Sequence, residues 1–142
     1  MKWFMFVILL LSGCAASATN TRENALVTEV TDGDTIVVAG GERVRILGIN
    51  APERGEKGYK EARAFLQENV LNKEVILESD GANRDRYDRL LRHVWHNSKL
   101  TAEALAHEGL ARAKYFDKNQ EYREQIAAAE QEAITAKKGL WR

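Results

Sequence analysis

The chain has 142 residues, a length that fits one globular domain with a modest core and excludes a second domain of ordinary size. Its 21 basic residues balance its 21 acidic residues, so the protein as a whole does not attract nucleic acid electrostatically. Because salt screens exposed charges beyond roughly 8 Å, binding of a polyanion requires a local cluster of cations.

Residues 1–13 are typical of a bacterial signal peptide. Lys2 supplies a short positive segment, and nine apolar residues follow without interruption from Trp3 to Leu11. A helix needs about 20 apolar residues to cross a bilayer, so this run predicts a signal segment and not a membrane span. The next residues, Leu11-Ser12-Gly13-Cys14, resemble a lipobox, in which the cysteine is lipidated and becomes the new N-terminus.

Cys14, the one cysteine of the chain, is therefore predicted to carry a lipid anchor that holds the protein in the cell envelope. Residues 14–25 are polar and without periodicity, which predicts a tether between this membrane anchor and a domain over residues 26–142. Ala15 is not the aspartate that resembles an inner-membrane retention signal, so the outer membrane is favoured. The alternative is a secreted protein cleaved after Ala16-Ser17-Ala18.

Three strands are predicted at the start of this domain. β-Branched residues dominate residues 26–31 and 35–39, and Asp32-Gly33-Asp34 between them indicates a kink or bulge. Gly40-Gly41 is typical of a two-residue hairpin turn. Residues 42–49 then alternate between charged and apolar side chains, so one face of the third strand is predicted to enter the core.

On that third strand Arg43 and Arg45 are predicted to share the face opposite Val44 and Ile46. The later elements are predicted as a helix over 59–72, a strand over 74–79, an exposed polar segment over 80–88 and a strand over 89–96. A short helix with Thr101 as its N-cap, which Gly109 stops, and a helix over 119–138 that Gly139 caps follow. This order is that of a five-stranded Greek-key barrel with appended helices, the OB-fold, although another α+β sheet is also compatible.

Four segments with unusual residue combinations occur within this domain. They are Val30-Thr31-Asp32-Gly33-Asp34-Thr35, Arg45-Ile46-Leu47-Gly48-Ile49-Asn50-Ala51-Pro52-Glu53, Asp85-Arg86-Tyr87-Asp88-Arg89-Leu90, and Glu108-Gly109-Leu110-Ala111 with a terminal Gly139-Leu140-Trp141. In this order and spacing they resemble the staphylococcal nuclease (thermonuclease) family over nearly all of residues 26–141. The resemblance implies a mainly β, α+β fold: a five-stranded OB barrel with three helices. It also implies calcium-dependent hydrolysis of DNA and RNA phosphodiesters at the P–O5′ bond, leaving 3′-phosphates.

The resemblance places Arg45, Glu53 and Arg89 on the family's catalytic positions. A phosphodiester under attack gathers negative charge on its equatorial oxygens, and a guanidinium group can bind two of these oxygens at once. Glu53 then positions or deprotonates the attacking water, two roles that the sequence does not separate.

The metal ligands implied by the resemblance are oxygen atoms of three residues. Asp34 falls on the leading Ca²⁺ ligand, Asn50 falls where the family usually has a second aspartate, and Ala51 falls where a backbone carbonyl binds the ion. Asp32 matches a nearby acidic residue that supports these ligands. Calcium takes six to eight oxygen ligands in loose geometry, so waters and the substrate phosphate complete such a set.

Single-stranded or denatured DNA and RNA are the expected partners of what we expect to be a monomer. Tyr87 and Tyr115 match nucleotide-contacting tyrosines of the family, and the surrounding segments are locally basic. The basic residues are Arg43, Arg45, Arg54, Lys57, Lys60, Arg84, Arg86, Arg89 and Arg92.

Two departures from the family pattern keep an alternative function open. Asn50 replaces an aspartate, and Asp88 stands where the family commonly has glycine. Asp88 either pairs with Arg89 and weakens its hold on phosphate, or it occupies a turn conformation that aspartate tolerates. The alternative to the enzyme is an OB module that binds nucleic acid or protein with weakened catalysis.

Overall fold

The computed structural model describes residues 20–115 and 121–142. The signal peptide, Cys14 and most of the tether lie outside the described residues, as do the first two residues of the predicted last helix. The strands are β1 (Arg22–Asp32), β2 (Thr35–Val38), β3 (Glu42–Ile46), β4 (Ile49–Asn50), β5 (Glu74–Glu78), β6 (Leu90–His96), β7 (Lys99–Leu100) and β8 (Arg112–Ala113). The helices are α1 (Tyr59–Val70), α2 (Thr101–His107) and α3 (Arg123–Thr135), followed by a 3₁₀ turn over Gly139–Trp141.

The sheet closes into a barrel, which confirms the predicted fold class. Its strand order is β3-β2-β1-β5-β6-β7, and these neighbours are antiparallel. A parallel pairing of β3 with β6 joins the two sides, so β1, β2, β3, β5 and β6 form a closed five-stranded barrel. The short strands β4 and β8 pair separately, beside the barrel.

The core fills the barrel and the space under the helices. Val75 and Leu77 of β5 point inward, as their alternation predicts. On α1 the buried residues are Ala62, Leu66 and Val70, whose spacing of four places them on one helical face. No helix within the described parts of the chain is both long and apolar enough to cross a membrane.

Strand β1 begins four residues earlier than predicted. Residues 22–26 pair with β5 in antiparallel register, from Arg22 opposite Glu78 to Leu26 opposite Glu74. Their side chains are largely exposed, so this first part of β1 has no hydrophobic pattern and is defined only by its backbone pairing. The last residues assigned to the tether therefore belong to the sheet.

Two predicted turns have different lengths in the structure. The hairpin between β2 and β3 has three loop residues, Ala39–Gly41, and both glycines have positive φ. The predicted third strand is interrupted by a turn at Leu47–Gly48, so it becomes β3 and β4. The Asp32-Gly33-Asp34 segment makes the tight connection between β1 and β2, with a register shift just before it.

The polar segment over 80–88 was predicted to be exposed. The prediction is wrong for Asp80, which is only 9% exposed. Its Oδ2 atom lies 2.8 Å from Nε2 of the buried His93 and accepts a hydrogen bond from the backbone N–H of Glu121. A buried carboxylate is tolerated where such partners replace water. The sequence could not reveal them, since they come from β6 and from the segment before α3.

The end of α3 differs from the prediction that Gly139 caps it. Lys137 takes the left-handed conformation (φ 52°), and the backbone N–H of Lys138 donates to the carbonyl of Ala133 in a Schellman motif. Gly139 instead packs against Gly109, where the N–H of Leu140 donates to the Gly109 carbonyl. The prediction of Thr101 as an N-cap is also wrong: Thr101 is the first residue of α2, Leu100 is the N-cap, and no side chain caps the helix.

The contact between Gly109 and Gly139 predicts a large loss of stability for Gly109→Ala. A Cβ atom at Gly109 would lie 2.3 Å from the carbonyl oxygen of Lys138, and φ is +69°. Overpacking and left-handed backbone strain together should cost roughly 2–5 kcal/mol of unfolding free energy, measured by urea denaturation. Gly40→Ala is the matched control, because its φ is +94° with no atom within 4 Å. Equal losses for the two variants would contradict the packing argument.

Candidate active site

Three segments meet around a cavity of about 720 Å³: the β1–β2 connection, residues 50–53 after β4, and the loop that precedes β6. Eight of the predicted site residues line it: Asp32, Asp34, Arg45, Asn50, Ala51, Glu53, Tyr87 and Arg89. The structure therefore brings the predicted catalytic and metal-ligating residues together. Tyr115 is not among the residues that line this cavity, and Cys14 lies outside the described residues.

Barrel closure explains why Arg45 and Arg89 meet. Arg45 on β3 is opposite Thr35 in the antiparallel pair with β2 and opposite Leu91 in the parallel pair with β6. Arg89 immediately precedes β6, so the same parallel pairing brings it to this end of β3. The two arginines are 44 positions apart (89 − 45), and only the closed sheet makes them neighbours.

A buried ion pair forms the floor of the cavity. Arg45 and Asp34 are only 5% and 7% exposed, and Arg45 Nη2 lies 3.3 Å from Asp34 Oδ2. Burial lowers the pKa of Arg45, while the adjacent Asp34 carboxylate acts in the opposite direction. Val44 and Ile46 face the core as predicted, but the alternation did not show that loops cover Arg45 on the other face.

The same ion pair holds the loop after β4. Asp34 Oδ2 accepts a 2.8 Å hydrogen bond from the backbone N–H of Ala51, and Asp34 Oδ1 accepts one from the Thr35 hydroxyl. Arg45 Nη2 donates to Asn50 Oδ1 at 3.2 Å, and Nη1 donates to the carbonyl of Ile46. Asn50 and Ala51 are thus positioned by the two charged side chains.

Asp32 stands beside Asp34 and is partly buried. Burial and the neighbouring Asp34 carboxylate raise its pKa to about 6. Asp32 Oδ1 also accepts a hydrogen bond from the Asp34 backbone N–H. Two adjacent carboxylates repel each other, and a cation between them would relieve this repulsion.

The oxygen atoms at this end of the cavity fit a hard cation. The described residues contain no group of three His, Cys, Asp or Glu side chains that could hold a metal ion. The available set is therefore two carboxylates, from Asp32 and Asp34, with the Asn50 amide oxygen and the Ala51 carbonyl. Calcium accepts such a mixture of charged and neutral oxygens, completed by water.

Asp85 holds Arg89 in place, a role that the sequence did not identify. Asp85 Oδ2 lies 2.8 Å from both Nε and Nη2 of Arg89, and Asp85 Oδ1 accepts the Arg89 backbone N–H. Partial burial opposes ionisation of Asp85, but these hydrogen bonds hold its pKa below the usual range. Arg89 Nη1 also donates to the Thr35 hydroxyl. The four-residue spacing between an acid and an arginine was the available signal.

Asp88 does not pair with Arg89. Its backbone is left-handed (φ 61°), and its carboxylate lies 3.5 Å from Nη1 of Arg84. Of the two readings left open by the sequence, the turn conformation is therefore the one that the structure shows. The Asp88 carboxylate, at a position where the family commonly has glycine, therefore does not compete for the Arg89 guanidinium.

Asn50, Glu53 and Tyr87 are the exposed members of the site. The backbone N–H of Glu53 donates to the Glu56 side chain, and the Glu53 carboxylate borders the cavity. Tyr87 is 54% exposed, and the guanidinium carbon of Arg89 lies 5.4 Å from its ring centroid. The guanidinium carbon of Arg86 also lies 4.8 Å from this centroid, and Arg86 Nη2 donates to the Tyr87 hydroxyl, so two guanidinium groups contact this tyrosine.

Tyr115 packs against the beginning of α3. Its hydroxyl donates to the carbonyl of Arg123, whose guanidinium lies over the ring at 4.9 Å. Burial raises the pKa of this tyrosine. Its contact with substrate stays a prediction. The lining residues that the sequence did not single out as site residues are Pro52, Ala82, Asp85, Arg86, Leu91 and Lys114.

The chain is similar to known proteins over most of its length. A family profile described as Staphylococcal nuclease homologue matches residues 43–142. A thermonuclease of Staphylococcus hyicus is 36% identical over 137 residues, which cover 89% of this chain and 81% of that protein. A thermonuclease of Staphylococcus intermedius is 37% identical, with coverages of 88% and 80%. Endonuclease YncB of Bacillus subtilis is 35% identical over 129 residues, which cover 83% of this chain and 61% of that protein.

The left-handed backbone of Asp88 predicts opposite effects for two substitutions. Asp88→Gly should raise the unfolding free energy by up to about 1 kcal/mol, because glycine adopts this conformation without strain. Asp88→Ala should lower it, because it keeps the Cβ atom and loses the carboxylate that aspartate uses locally. Urea midpoints of the two variants measure the difference. If both substitutions shift the midpoint equally, the side chain matters and the backbone conformation does not.

Proposed function

The chain belongs to the staphylococcal nuclease family, and from this premise we propose that it hydrolyses the phosphodiester bonds of single-stranded or denatured DNA and RNA. The observation that carries the proposal is the convergence of Arg45, Arg89 and Glu53 on one cavity. A module that only binds nucleic acid needs the cations but has no need of the glutamate.

The two arginines bind and stabilise the reacting phosphate. Each guanidinium has five N–H donors, and contacts within the protein use only part of them. The partners of Arg45 are Asp34, Asn50 and Ile46, and those of Arg89 are Asp85 and Thr35. The remaining donors bind the equatorial oxygens, where negative charge grows during attack. Because both guanidinium groups are held by protein partners, little reorganisation is needed at the moment of reaction.

The Glu53 carboxylate acts on the attacking water, which it orients or deprotonates. A bond forms between the water oxygen and phosphorus, and the P–O5′ bond breaks. The proton from water passes to Glu53 or to solvent, and the departing O5′ atom takes up a proton. The products are a 3′-phosphate and a 5′-hydroxyl, so atoms and charge balance without any redox partner.

Calcium is the proposed cofactor. Asp34, Asn50 and the Ala51 carbonyl would hold the ion, with Asp32 supporting them from the adjacent position. When bound, the ion supplies Lewis-acid stabilisation of the phosphate charge. The residues that we assign to it supply hard oxygen atoms, as calcium prefers.

The proposed location is the cell envelope, with Cys14 as a lipid anchor and secretion as the alternative. β1 begins at Arg22, eight positions after Cys14 (22 − 14), so the intervening chain spans at most about 30 Å when extended. The barrel would thus stay close to the membrane surface. Cys14→Ser should move the protein from the detergent phase to the aqueous phase in a Triton X-114 partition. Unchanged partitioning would contradict the anchor.

The nuclease proposal is tested with the full-length protein in mild detergent. Incubated with denatured DNA and millimolar calcium, it should cut the strands and leave 3′-phosphates, and a calcium chelator should abolish cutting. Cutting that survives the chelator would remove calcium from the mechanism. Strand binding without cutting at saturating calcium would leave the alternative, a binding module with weakened catalysis.

Replacement of Arg45 tests the role of the guanidinium fork. Arg45→Lys keeps the charge beside Asp34 but loses planar, bidentate donation, so kcat/KM on denatured DNA should fall nearly as far as in Arg45→Ala. The expected loss is about 3–4 kcal/mol of transition-state stabilisation. Arg22→Lys, which lies outside the cavity lining, is the matched control and should keep parental turnover. Near-parental turnover of Arg45→Lys would refute bidentate binding.

A further inference from the structure

A second, smaller cavity adjoins the candidate active site across the Asn50–Pro52 segment. Asn50, Ala51 and Pro52 line both cavities, so this segment is a wall that they share. The second cavity has a volume of about 220 Å³, and its other walls are Glu56, Lys57, Arg112 and Leu140. A ligand that crosses this wall from the first cavity would enter the second one.

Arg112 of β8 and Lys114, just after this strand, line the two cavities that share the wall. β8 pairs with β4 in antiparallel register, which places Arg112 opposite Asn50. Residues 112 and 114 are two positions apart in an extended segment, so their side chains leave the same face. Lys114 lines the first cavity and Arg112 lines the second.

The second cavity carries a net positive charge. Lys57 and Arg112 supply two positive charges against one negative charge of Glu56, which leaves +1. Glu56 Oε1 accepts the backbone N–H of Glu53, so this carboxylate is engaged by the loop. Neither cation forms an ion pair with another residue that the structure describes. The arginines at 22, 45, 84, 89 and 92 each have a carboxylate partner.

Arg112 is held ready to bind an anion. Its guanidinium carbon lies 4.5 Å from the ring centroid of Trp141, and its neighbour Ala113 donates its backbone N–H to Glu130 at 2.6 Å. Stacking occupies the face of a guanidinium group and leaves the N–H donors at its edge available. The side chain is also exposed, so a phosphate group can reach it.

We propose that the second cavity is a phosphate subsite for the backbone of single-stranded nucleic acid, at least one nucleotide away from the bond that is hydrolysed. The inference rests on the proposed nuclease function, and it adds Lys57 and Arg112 as substrate-binding residues. Strands long enough to cross the shared wall gain this contact. Strands that fill only the first cavity do not.

Binding of labelled oligothymidylates to the full-length protein in mild detergent tests the subsite. Fluorescence anisotropy, with chelator present to prevent cutting, compares strands of about two and about eight nucleotides over a range of salt. The double variant Lys57→Gln/Arg112→Gln should bind the long strand roughly five- to tenfold more weakly. Its slope of log K against log salt should shrink by about 0.7, the loss of one phosphate contact. Binding of the short strand should not change.

Two controls separate phosphate binding from other effects. Lys73→Gln/Lys99→Gln removes two exposed cations outside both cavities and should keep parental affinity. Arg112→Lys keeps the charge but not the planar stack on Trp141, so it should retain most of the affinity, whereas a purely structural role would make it as weak as Arg112→Gln. The subsite is refuted if the two double variants weaken the long strand equally, or if short and long strands are weakened alike.

Turnover distinguishes failure of the subsite from failure of the nuclease proposal. If the parent protein cuts denatured DNA and the Lys57→Gln/Arg112→Gln variant keeps the length dependence of binding, the subsite alone is refuted. If the parent protein never cuts but its length-dependent binding needs Lys57 and Arg112, the nuclease proposal is refuted. The subsite is then supported as part of a binding groove. In an active parent, the double variant should keep its turnover on a dinucleotide.

Discussion

The buried ion pair between Asp34 and Arg45 is the interaction on which the rest of the site depends. It joins the residue before β2 to β3, the strand that closes the barrel on β6, and Asp34 also holds the backbone of Ala51. Removal of one member of such a pair strands the other charge in the interior, typically at a cost of 3–5 kcal/mol. The pair therefore serves both the stability of the barrel and the placement of the loop that ends in Glu53.

Pairing among the charged residues places cations at the active-site cavity without an excess of positive charge, because its lining holds four acids and four bases. Arg89 is held by Asp85 and by the Thr35 hydroxyl, and it lines the cavity next to Tyr87. Arg84 is paired with Glu42 away from it. Because salt screens distant charges, the local arrangement matters for a phosphate backbone and the overall balance does not.

Most of the fold prediction rests on regular hydrophobic periodicity. Most of its errors lie where exposed residues pair or where the partners are distant in the sequence. The barrel strands and α1 were predicted because their buried residues repeat every second or every fourth position. The first residues of β1 were missed because a strand with exposed side chains has no such repeat. Asp80 was predicted exposed because its partners, His93 and the N–H of Glu121, are distant in the sequence.

By itself the sequence determined the barrel class, the family resemblance and the set of acids and arginines that line one cavity, since each depends on local pattern or on motif order. Only the tertiary structure decided that Arg45 is buried, that Asp85 and not Asp88 holds Arg89, and that Arg112 stands beyond a shared wall from the site. These facts depend on which strands pair across the closed sheet. Pairing between segments far apart in the chain is set by packing of the whole domain and leaves no signature in any one segment.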